Sequence, residues 1–287
     1  MDNKNNNLDE KDFFDNIIAG RNSVIELLKS GRDINALFVL RNAQNSGSAG
    51  KIISDCKKRG IPVKDVAKEK LDRLAGHSNH QGVVASVSAA EYSTIDELFE
   101  TASKKDETPF FIICDGIEDP HNLGAIIRTA EGAGVHGIII PKRRGTLLSP
   151  VVAKVACGAL EYVKVVRVNN LSSAIDELKD RGVWVYGAHI NDDITNETIL
   201  NNDIYVTDKQ GDKNQRQASR SLPWCQMDFS GAAALVIGSE GHGLHELIIK
   251  KCDFFVHLPM TGNITSLNAS ASAAILMYEV LRQRKGL

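Results

Sequence analysis

The 287-residue chain lacks several features that mark membrane, secreted and metal-dependent proteins. No apolar run approaches the roughly 20 residues that a membrane helix needs, so we expect no spanning segment. Residues 1–15, rich in Asn and acid, have no basic start before an apolar stretch, which predicts a disordered tail rather than a secretory signal. The five cysteines are dispersed without a Cys-x-x-Cys spacing, which disfavours a zinc site and a disulfide framework. We therefore expect a cytoplasmic protein with no metal and no membrane partner.

The chain also has no excess of positive charge. Its 34 basic and 36 acidic residues give a formal net charge of −2, which does not advertise nucleic-acid binding and does not exclude it. Local basic groups occur at residues 57–59, 142–144 and 282–285, and each by itself is better explained as a solvated surface than as a phosphate contact. Evidence for function therefore has to come from local motifs.

Hydrophobic periodicity predicts two α/β regions joined by a linker. Residues 16–88 show short helices and strands, the first helix containing Ile18, and the polar residues 89–108 around one short helix form the linker. From residue 109 to 287, strands alternate with helices, which favours a mainly parallel sheet covered on both faces. Residues 201–227 interrupt this order as an insertion, whose polar part, 208–221, is typical of a mobile surface loop.

The first candidate segment, Asp119–Ala130, follows a predicted strand, Phe110–Cys114, and opens a helix. Asn122 stands where a helix N-cap is wanted, Gly124 permits a close backbone approach, and Arg128 lies about one helical turn further on. A structural role would also account for these residues, namely capping for Asn122 and a salt bridge for Arg128.

The second candidate segment is a glycine-rich turn, Gly238-Ser239-Glu240-Gly241-His242-Gly243, between a buried strand and a helix. In outline it resembles a phosphate or nucleotide cradle. It is not a Walker A sequence, and its glycine spacing does not match the dinucleotide fingerprint. Glu240, placed between glycines at a strand end, is hard to explain by packing.

The third candidate segment, residues 258–270, connects a strand to a long apolar helix. Pro259 and Gly262 break regular structure, and Ser266 and Asn268 each offer an N-cap. By itself this is an ordinary strand-to-helix connection. All three segments, however, join a strand to a helix through a polar turn, and a parallel sheet would place such turns on one edge, where ligands of such sheets bind.

Together the three segments resemble the signature motifs of the SpoU/TrmH family, the RNA ribose 2′-O-methyltransferases that use S-adenosylmethionine. The resemblance covers about residues 110–284 in the right order and rests on Asn122…Arg128-Thr129-Ala130, Gly238-Ser239-Glu240-Gly241 and Leu258-Pro259-Met260…Ser266-Leu267-Asn268. Residues 18–24 and 79–85 resemble the family's ribosomal-protein-like substrate domain. This two-domain arrangement is most similar to the members that methylate a guanosine of 23S rRNA.

The resemblance implies a fold and a set of partners. The fold is an α/β fold in which a small ribosomal-protein-like domain, residues 16–88, precedes a mainly parallel sheet with a deep trefoil knot in residues 109–287. The partners are RNA, either 23S rRNA or a large-subunit precursor, and a second copy of the chain, with no DNA. The cofactor is S-adenosylmethionine, without a metal.

The resemblance also implies roles for particular residues. Arg128 is the candidate catalytic residue, better suited to stabilising an alkoxide or holding a phosphate than to acting as a base, because arginine stays protonated. Glu240 would orient it. The remaining residues would position the ribose, the arginine or the cofactor carboxylate (Asn122, Ser266, Asn268), meet the cofactor (Gly238, Leu258, Leu267), or lie next to it (Ile237, Met260).

Three rival functions remain at this stage. A tRNA ribose methyltransferase or a resistance-type rRNA methyltransferase would share the motifs, although the extra domain favours rRNA. A non-catalytic RNA-binding assembly factor would share the fold, and the presence of all the motif residues argues against it. A nicotinamide-dependent enzyme would share the α/β pattern, but the fingerprint expected after its first strand is missing.

Overall fold

The computed structural model describes residues 16–41, 47–76, 78–188 and 221–287. Two compact units divide the chain. The first unit consists of the described residues within Met1–Ser93, Asp119–Arg128 and Thr146–Val165, and the second of those within Thr94–Glu118, Thr129–Gly145 and Val166–Leu287. The predicted tail, residues 1–15, and most of the predicted insertion, up to residue 220, lie outside the described residues.

Strands and helices alternate through most of the described chain. The strands are β1 (Ile17–Ala19), β2 (Ile34–Leu40), β3 (Val63–Val66), β4 (Val83–Val87), β5 (Phe110–Asp115), β6 (Gly137–Pro141), β7 (Val165–Val168), β8 (Trp184–Ala188), β9 (Ser221–Pro223), β10 (Ala233–Gly238) and β11 (Phe254–His257). The α-helices are α1 (Arg21–Ser30), α2 (Gly47–Lys58), α3 (Lys68–Ala75), α4 (Ile95–Lys104), α5 (Pro120–Gly132), α6 (Pro150–Ala156), α7 (Leu171–Asp180), α8 (Glu246–Ile249) and α9 (Ala269–Lys285).

The first unit is built on a four-stranded sheet in the order β1-β4-β2-β3. Strand β4 is antiparallel to β1 and β2, and β3 is parallel to β2. Strand β2 is apolar along most of its length because both of its faces are covered: Leu37 packs in the core with α1 and α2, and Phe38 packs with α3. The prediction that Ile18 belongs to a helix is wrong, since it lies in β1 and Gly20, with φ of +97°, separates this strand from α1.

The second unit is built on a seven-stranded sheet in the order β7-β6-β5-β10-β8-β11-β9. Strands β6, β5, β10, β8, β11 and β9 pair in parallel, which confirms the predicted mainly parallel sheet. Strand β10 comes late in the chain yet lies between β5 and β8, so the chain returns to the middle of a sheet that earlier strands had begun. The trefoil knot that the resemblance implies stays a prediction.

The helix predicted inside the linker is an integral part of the second unit. A capping box between Thr94 and Glu97 starts α4. Leu98 is fully buried, and it leaves no room for a side chain at Gly137 on the adjacent strand β6. Residues 221–223, within the end of the predicted insertion, likewise join the sheet as the edge strand β9, which pairs with β11.

Helix α9 is fastened to the sheet near its carboxyl end. The Arg284 guanidinium donates to four backbone carbonyls, those of Phe229, Thr108, Pro109 and Gly231, and it lies over the Phe110 ring. This anchoring matters for the site because Asn268 is the N-cap of the same helix. Within the described ranges, no helix is long and apolar enough to cross a bilayer.

Candidate functional site

One edge of the second unit's sheet carries two of the predicted site segments. Strands β5 and β10 are parallel and in register, so that Asp115 at the end of β5 lies beside Gly238 at the end of β10. Strand β11 runs in the same direction through β8 and ends at His257. The turns that follow β10 and β11 therefore start on one edge, which agrees with the prediction for the second and third candidate segments.

The turn after β10, which we call the glycine-rich loop (Ser239–His245), is closely bonded to itself. Ser239 and Gly243 exchange two backbone hydrogen bonds of 3.0 Å. A Cβ atom on Gly238 would overlap the Gly243 carbonyl and would lie 2.7 Å from the Leu244 nitrogen. This strand end therefore needs glycine because the returning backbone occupies the side-chain position.

The segment after β11, which we call the uncharged loop (residues 258–267), has the opposite character. Its backbone makes no hydrogen bond within the described residues. It has no charged side chain, and Met260, Ile264 and Leu267 are 37%, 72% and 40% exposed. The loop thus offers backbone donors and acceptors together with apolar surface.

Asn268 connects the two loops. Its Oδ1 accepts from the backbone nitrogens of Ser270 at 2.9 Å and Ala271 at 3.3 Å, which caps α9. Its Nδ2 donates to Glu240 Oε1 at 2.5 Å. Asn268 therefore both caps the helix and bridges to the glycine-rich loop, whereas Ser266, the other predicted cap, lies half-buried before the helix and makes no capping bond.

Asn122 and Arg128 belong to the first unit and lie on α5. The expectation that Asn122 is the N-cap is wrong, because the helix begins two residues earlier at Pro120, a residue that suits the first helical position. Asn122 is instead buried, with 6% of its surface exposed. Arg128 is exposed, and its Nη1 lies 3.5 Å from the Cys157 Sγ.

Gly124, also on α5, has a packing role. A Cβ atom at this position would lie 2.6 Å from Cβ of Val155 on α6. The close approach that the sequence suggested at Gly124 is therefore between two helices of the first unit.

The remaining predicted cofactor residues differ in what they can present. Ile237 is 2% exposed within the sheet, so only its backbone can meet a ligand, whereas Leu258 is half-buried at the start of the uncharged loop. The predicted orientation of Arg128 by Glu240 stays a prediction. Among the described residues, no group of three His, Cys, Asp or Glu side chains is arranged to hold a metal ion.

Sequence reasoning missed one pair in this region, Asp115 and His245. Asp115 is 3% exposed, and it accepts hydrogen bonds from the His245 backbone nitrogen at 2.7 Å and from its ring Nδ1 at 2.8 Å. A signal was present, because Asp115 is a carboxylate directly after five buried apolar residues, Phe110–Cys114. Such a charge at a strand end is unusual unless it is paired.

Two family profiles match the chain. The profile of the SpoU rRNA Methylase family matches residues 109–278. The profile described as RNA 2′-O ribose methyltransferase substrate binding matches residues 17–93. Both profiles fall on the regions where the motifs and the substrate-domain cues were found.

Similar proteins cover nearly the whole chain. A Bacillus subtilis (strain 168) protein assigned to the TrmH family of tRNA/rRNA methyltransferases, YacO, is 44% identical over 93% of this chain and 95% of its own length. A Staphylococcus aureus (strain MSSA476) protein assigned to the same family is 41% identical over 94% of this chain and 97% of its own length.

Solved structures show the same fold. The SpoU methyltransferase AviRb from Streptomyces viridochromogenes, in complex with AdoMet, has a TM-score of 0.54 at 21% identity over 98% of this chain and 99% of that chain. An AdoMet-bound rRNA methyltransferase from Sinorhizobium meliloti has a TM-score of 0.51 at 22% identity over 98% and 97% of the two chains.

Proposed function

The chain belongs to the SpoU rRNA Methylase family, and from that premise we propose that it transfers a methyl group from S-adenosylmethionine to a ribose 2′-hydroxyl of RNA. The observation that carries this proposal is the sheet edge where the uncharged loop and the glycine-rich loop meet through the Asn268–Glu240 bond. The protein is an RNA methyltransferase by family. What we propose beyond the family is the atom that receives the methyl group and the RNA that is the substrate.

The uncharged loop suits this cofactor. An adenine ring and a thioether chain need flat apolar contacts and a few backbone hydrogen bonds, and the loop supplies exposed Met260 and Leu267 beside unpaired backbone groups. Backbone groups at the start of each loop would also contact the cofactor, namely those of Ile237, Gly238 and Leu258. When bound, the cofactor would supply a methyl group activated by the sulfonium; transfer would exchange the sulfur–methyl bond for an oxygen–methyl bond, leave S-adenosylhomocysteine and release the hydroxyl proton to solvent.

The protein's own task is then to position the hydroxyl and to stabilise the charge that develops on its oxygen. We assign that stabilisation to the Arg128 guanidinium, because arginine side chains carry a positive charge in proteins and this one has no carboxylate partner among the described residues. Asn122, Glu240, Ser266 and Asn268 are proposed to orient the ribose, the arginine and the cofactor carboxylate.

Replacing Arg128 tests this assignment. We expect Arg128→Ala to lower methyl transfer by at least about a hundredfold, in line with the loss of one charged stabilising group, while the Kd for S-adenosylmethionine measured by calorimetry stays within about twofold. Arg181→Ala is the matched control, because Arg181 pairs with Asp96 and Glu177 outside these loops. Full transfer activity in Arg128→Ala would refute the assignment.

We further propose that the substrate is a guanosine of 23S rRNA, free or within a large-subunit precursor. The match of residues 17–93 to an RNA substrate-binding profile supports an RNA partner, and the relatives' names span tRNA and rRNA. Mapping 2′-O-methylation in RNA from cells with and without the gene tests the proposal. A lost methyl group on 23S rRNA would support it, and one lost only from tRNA would favour the tRNA alternative. Target RNA with 2′-deoxyribose at the modified position should accept no methyl group.

The same proposal includes a cytoplasmic homodimer. Helix α9 leaves Ile275 and Tyr278, three residues apart on one side, 37% and 52% exposed, which is surface suited to packing against a second copy. Sedimentation equilibrium should show a dimer for the natural chain and a monomer for Ile275→Asp/Tyr278→Asp. A monomeric natural chain would refute this part.

A further inference from the structure

We propose that Asp115 and His245 are positioning residues, which hold the glycine-rich loop in its cofactor-binding shape through the bond between the Asp115 carboxylate and the His245 ring. The proposal rests on the function proposed above and assigns this pair a structural task toward the cofactor. Both residues lie outside the three recognised segments, one at the end of β5 and the other directly before α8.

The geometry around Asp115 is specific. Each carboxylate oxygen has its own donor on the same residue, because Oδ2 accepts from the His245 backbone nitrogen and Oδ1 accepts from its Nδ1. The Asp115 side chain is 5% exposed, whereas the His245 side chain is 46% exposed. A buried carboxylate without its donors is costly, so this pairing fixes where the loop ends.

The backbone next to Asp115 packs closely against this pair, which we call the Asp115–His245 joint. A Cβ atom on Gly116, whose φ is +75°, would lie 3.1 Å from His245 Cε1 and 3.4 Å from Ser239 Cβ. The side chains of Ser239 and His245, at the two ends of the glycine-rich loop, therefore both pack against the backbone of Gly116. The end of β5 acts as a base on which both ends of the loop rest.

The link to the cofactor follows from what lies between these ends. Gly238 and the Ser239–Gly243 bridge set the loop's shape, and Glu240 extends from it to Asn268, directly after the uncharged loop. If the His245 ring bond is lost, the backbone from Gly238 onward loses part of its support, whereas Glu240 keeps its own bond to Asn268. Arg128, to which the transfer step is assigned, is bonded to neither Asp115 nor His245. We therefore expect loss of the ring bond to weaken cofactor binding and to leave the rate at saturating cofactor nearly unchanged.

Calorimetry on the full chain tests the proposal. We expect His245→Ala to raise the Kd for S-adenosylmethionine about fivefold, the loss expected for one partly exposed hydrogen bond to a charged group. The KM for the cofactor should rise in parallel, kcat should stay within about twofold, and the KM for RNA should not change. His245→Asn should restore most of the affinity, because an amide nitrogen can replace Nδ1 as the donor.

Amide hydrogen exchange provides a readout that does not need the cofactor. In the protein without S-adenosylmethionine, residues 239–244 should exchange faster in His245→Ala than in the natural chain, and His245→Asn should reverse the change. Lys250→Ala is the matched control, since it breaks the exposed Lys250–Glu246 pair on α8 but leaves the joint intact. It should alter neither the Kd nor the exchange of the loop.

The effect should also depend on Asp115. In an Asp115→Ala background, His245→Ala should cause no further loss of affinity, because its partner is already absent. Equal cofactor affinity in His245→Ala and the natural chain, or failure of His245→Asn to rescue, overturns the positioning role while the proposed function stands. Absence of binding by the natural chain itself would overturn the proposed function and this inference with it.

Discussion

The two loops at the sheet edge differ in how their backbones are satisfied. In the glycine-rich loop the backbone bonds to itself and the Asp115 carboxylate holds its end, whereas the uncharged loop makes no backbone hydrogen bond among the described residues. One loop therefore brings a fixed shape, and the other brings open donors, acceptors and apolar side chains. A ligand site needs both, because a preformed frame reduces the entropy lost on binding and unpaired groups provide the contacts.

The largest difference between the two loops should appear when a glycine in each is replaced by alanine. Gly238→Ala forces a Cβ atom into the Gly243 backbone, so we expect a loss of about 1–3 kcal/mol in unfolding free energy and at least tenfold in cofactor affinity. Gly262→Ala, in the uncharged loop, has no atom within 4 Å of the added Cβ and should change the unfolding free energy by less than about 0.5 kcal/mol. Urea unfolding and calorimetry measure both. Equal destabilisation by the two substitutions would contradict the comparison.

The bond between the two loops provides the next largest effect. Asn268→Asp keeps the oxygen that caps α9 but replaces the donor to Glu240 with a second negative charge. We expect thermal stability close to that of the natural chain and methyl transfer reduced about tenfold. Asn268→Ala should lose the cap as well and cost about 1 kcal/mol of stability. Normal transfer by Asn268→Asp would show that the link between the loops is dispensable.

A smaller effect is expected from apolar surface in the uncharged loop. Leu267→Ser removes a side chain that is 40% exposed, so the melting temperature should not change, whereas the Kd for S-adenosylmethionine should rise about threefold from lost apolar contact. Leu247→Ser, which alters an exposed leucine of α8, is the control and should leave the Kd unchanged. If both variants bind equally well, Leu267 does not contact the cofactor.

The smallest effect on methyl transfer should come from the opposite end of β5. His136 is buried there, its Nδ1 accepts from the Phe110 nitrogen at 3.0 Å, and burial lowers its pKa below the ordinary value. Below a pH of about 6.5 the His136 ring takes up a proton in the unfolded chain but stays neutral in the folded chain. The free energy of unfolding therefore falls as the pH decreases from there to the lowered pKa, by at most about 1.4 kcal/mol per pH unit.

Urea unfolding at pH 7.5 and pH 5.5 measures this dependence. His136→Asn keeps an acceptor for the Phe110 nitrogen but removes the titrating group, so its stability should fall less between the two pH values. Its Kd for S-adenosylmethionine should equal that of the natural chain, because the substitution is far along β5 from both loops. An unchanged pH dependence would contradict the assignment.

Much of the fold could be predicted from periodicity. Strand β5 was predicted as Phe110–Cys114 and ends one residue later, at Asp115, and the mainly parallel sheet followed from regular alternation of strands and helices. The wrong predictions concern the ends of helices, whose positions depend on neighbouring parts of the folded chain. Ile18 reads as helical with the residues after it, yet backbone pairing with β4 places it in a strand. Helix α5 begins at Pro120 rather than after Asn122, because proline suits the first turn of a helix.

The candidate site shows the same division. The motif order identified the family and the two loops, and the profiles confirm the family. Periodicity could not reveal that Asp115 meets His245, because 130 residues separate them and neither belongs to a repeating pattern. Similarly, the bond between Asn268 and Glu240 depends on two loops from different strands. Long-range polar contacts of this kind carry no local signal.

The sequence by itself determined the family, the order of the motifs and the strands that carry them, because local hydrophobic pattern and turn chemistry act over a few neighbouring residues. Only the tertiary structure decided which polar groups pair across the sheet edge. It showed one loop closed on itself over Gly238 and the other left open, since satisfying a backbone group depends on whatever the folded chain brings beside it. The glycine-rich loop and the uncharged loop look alike in sequence as strand-to-helix turns, but the folded chain gives the first a fixed shape and leaves the second with open hydrogen-bonding groups.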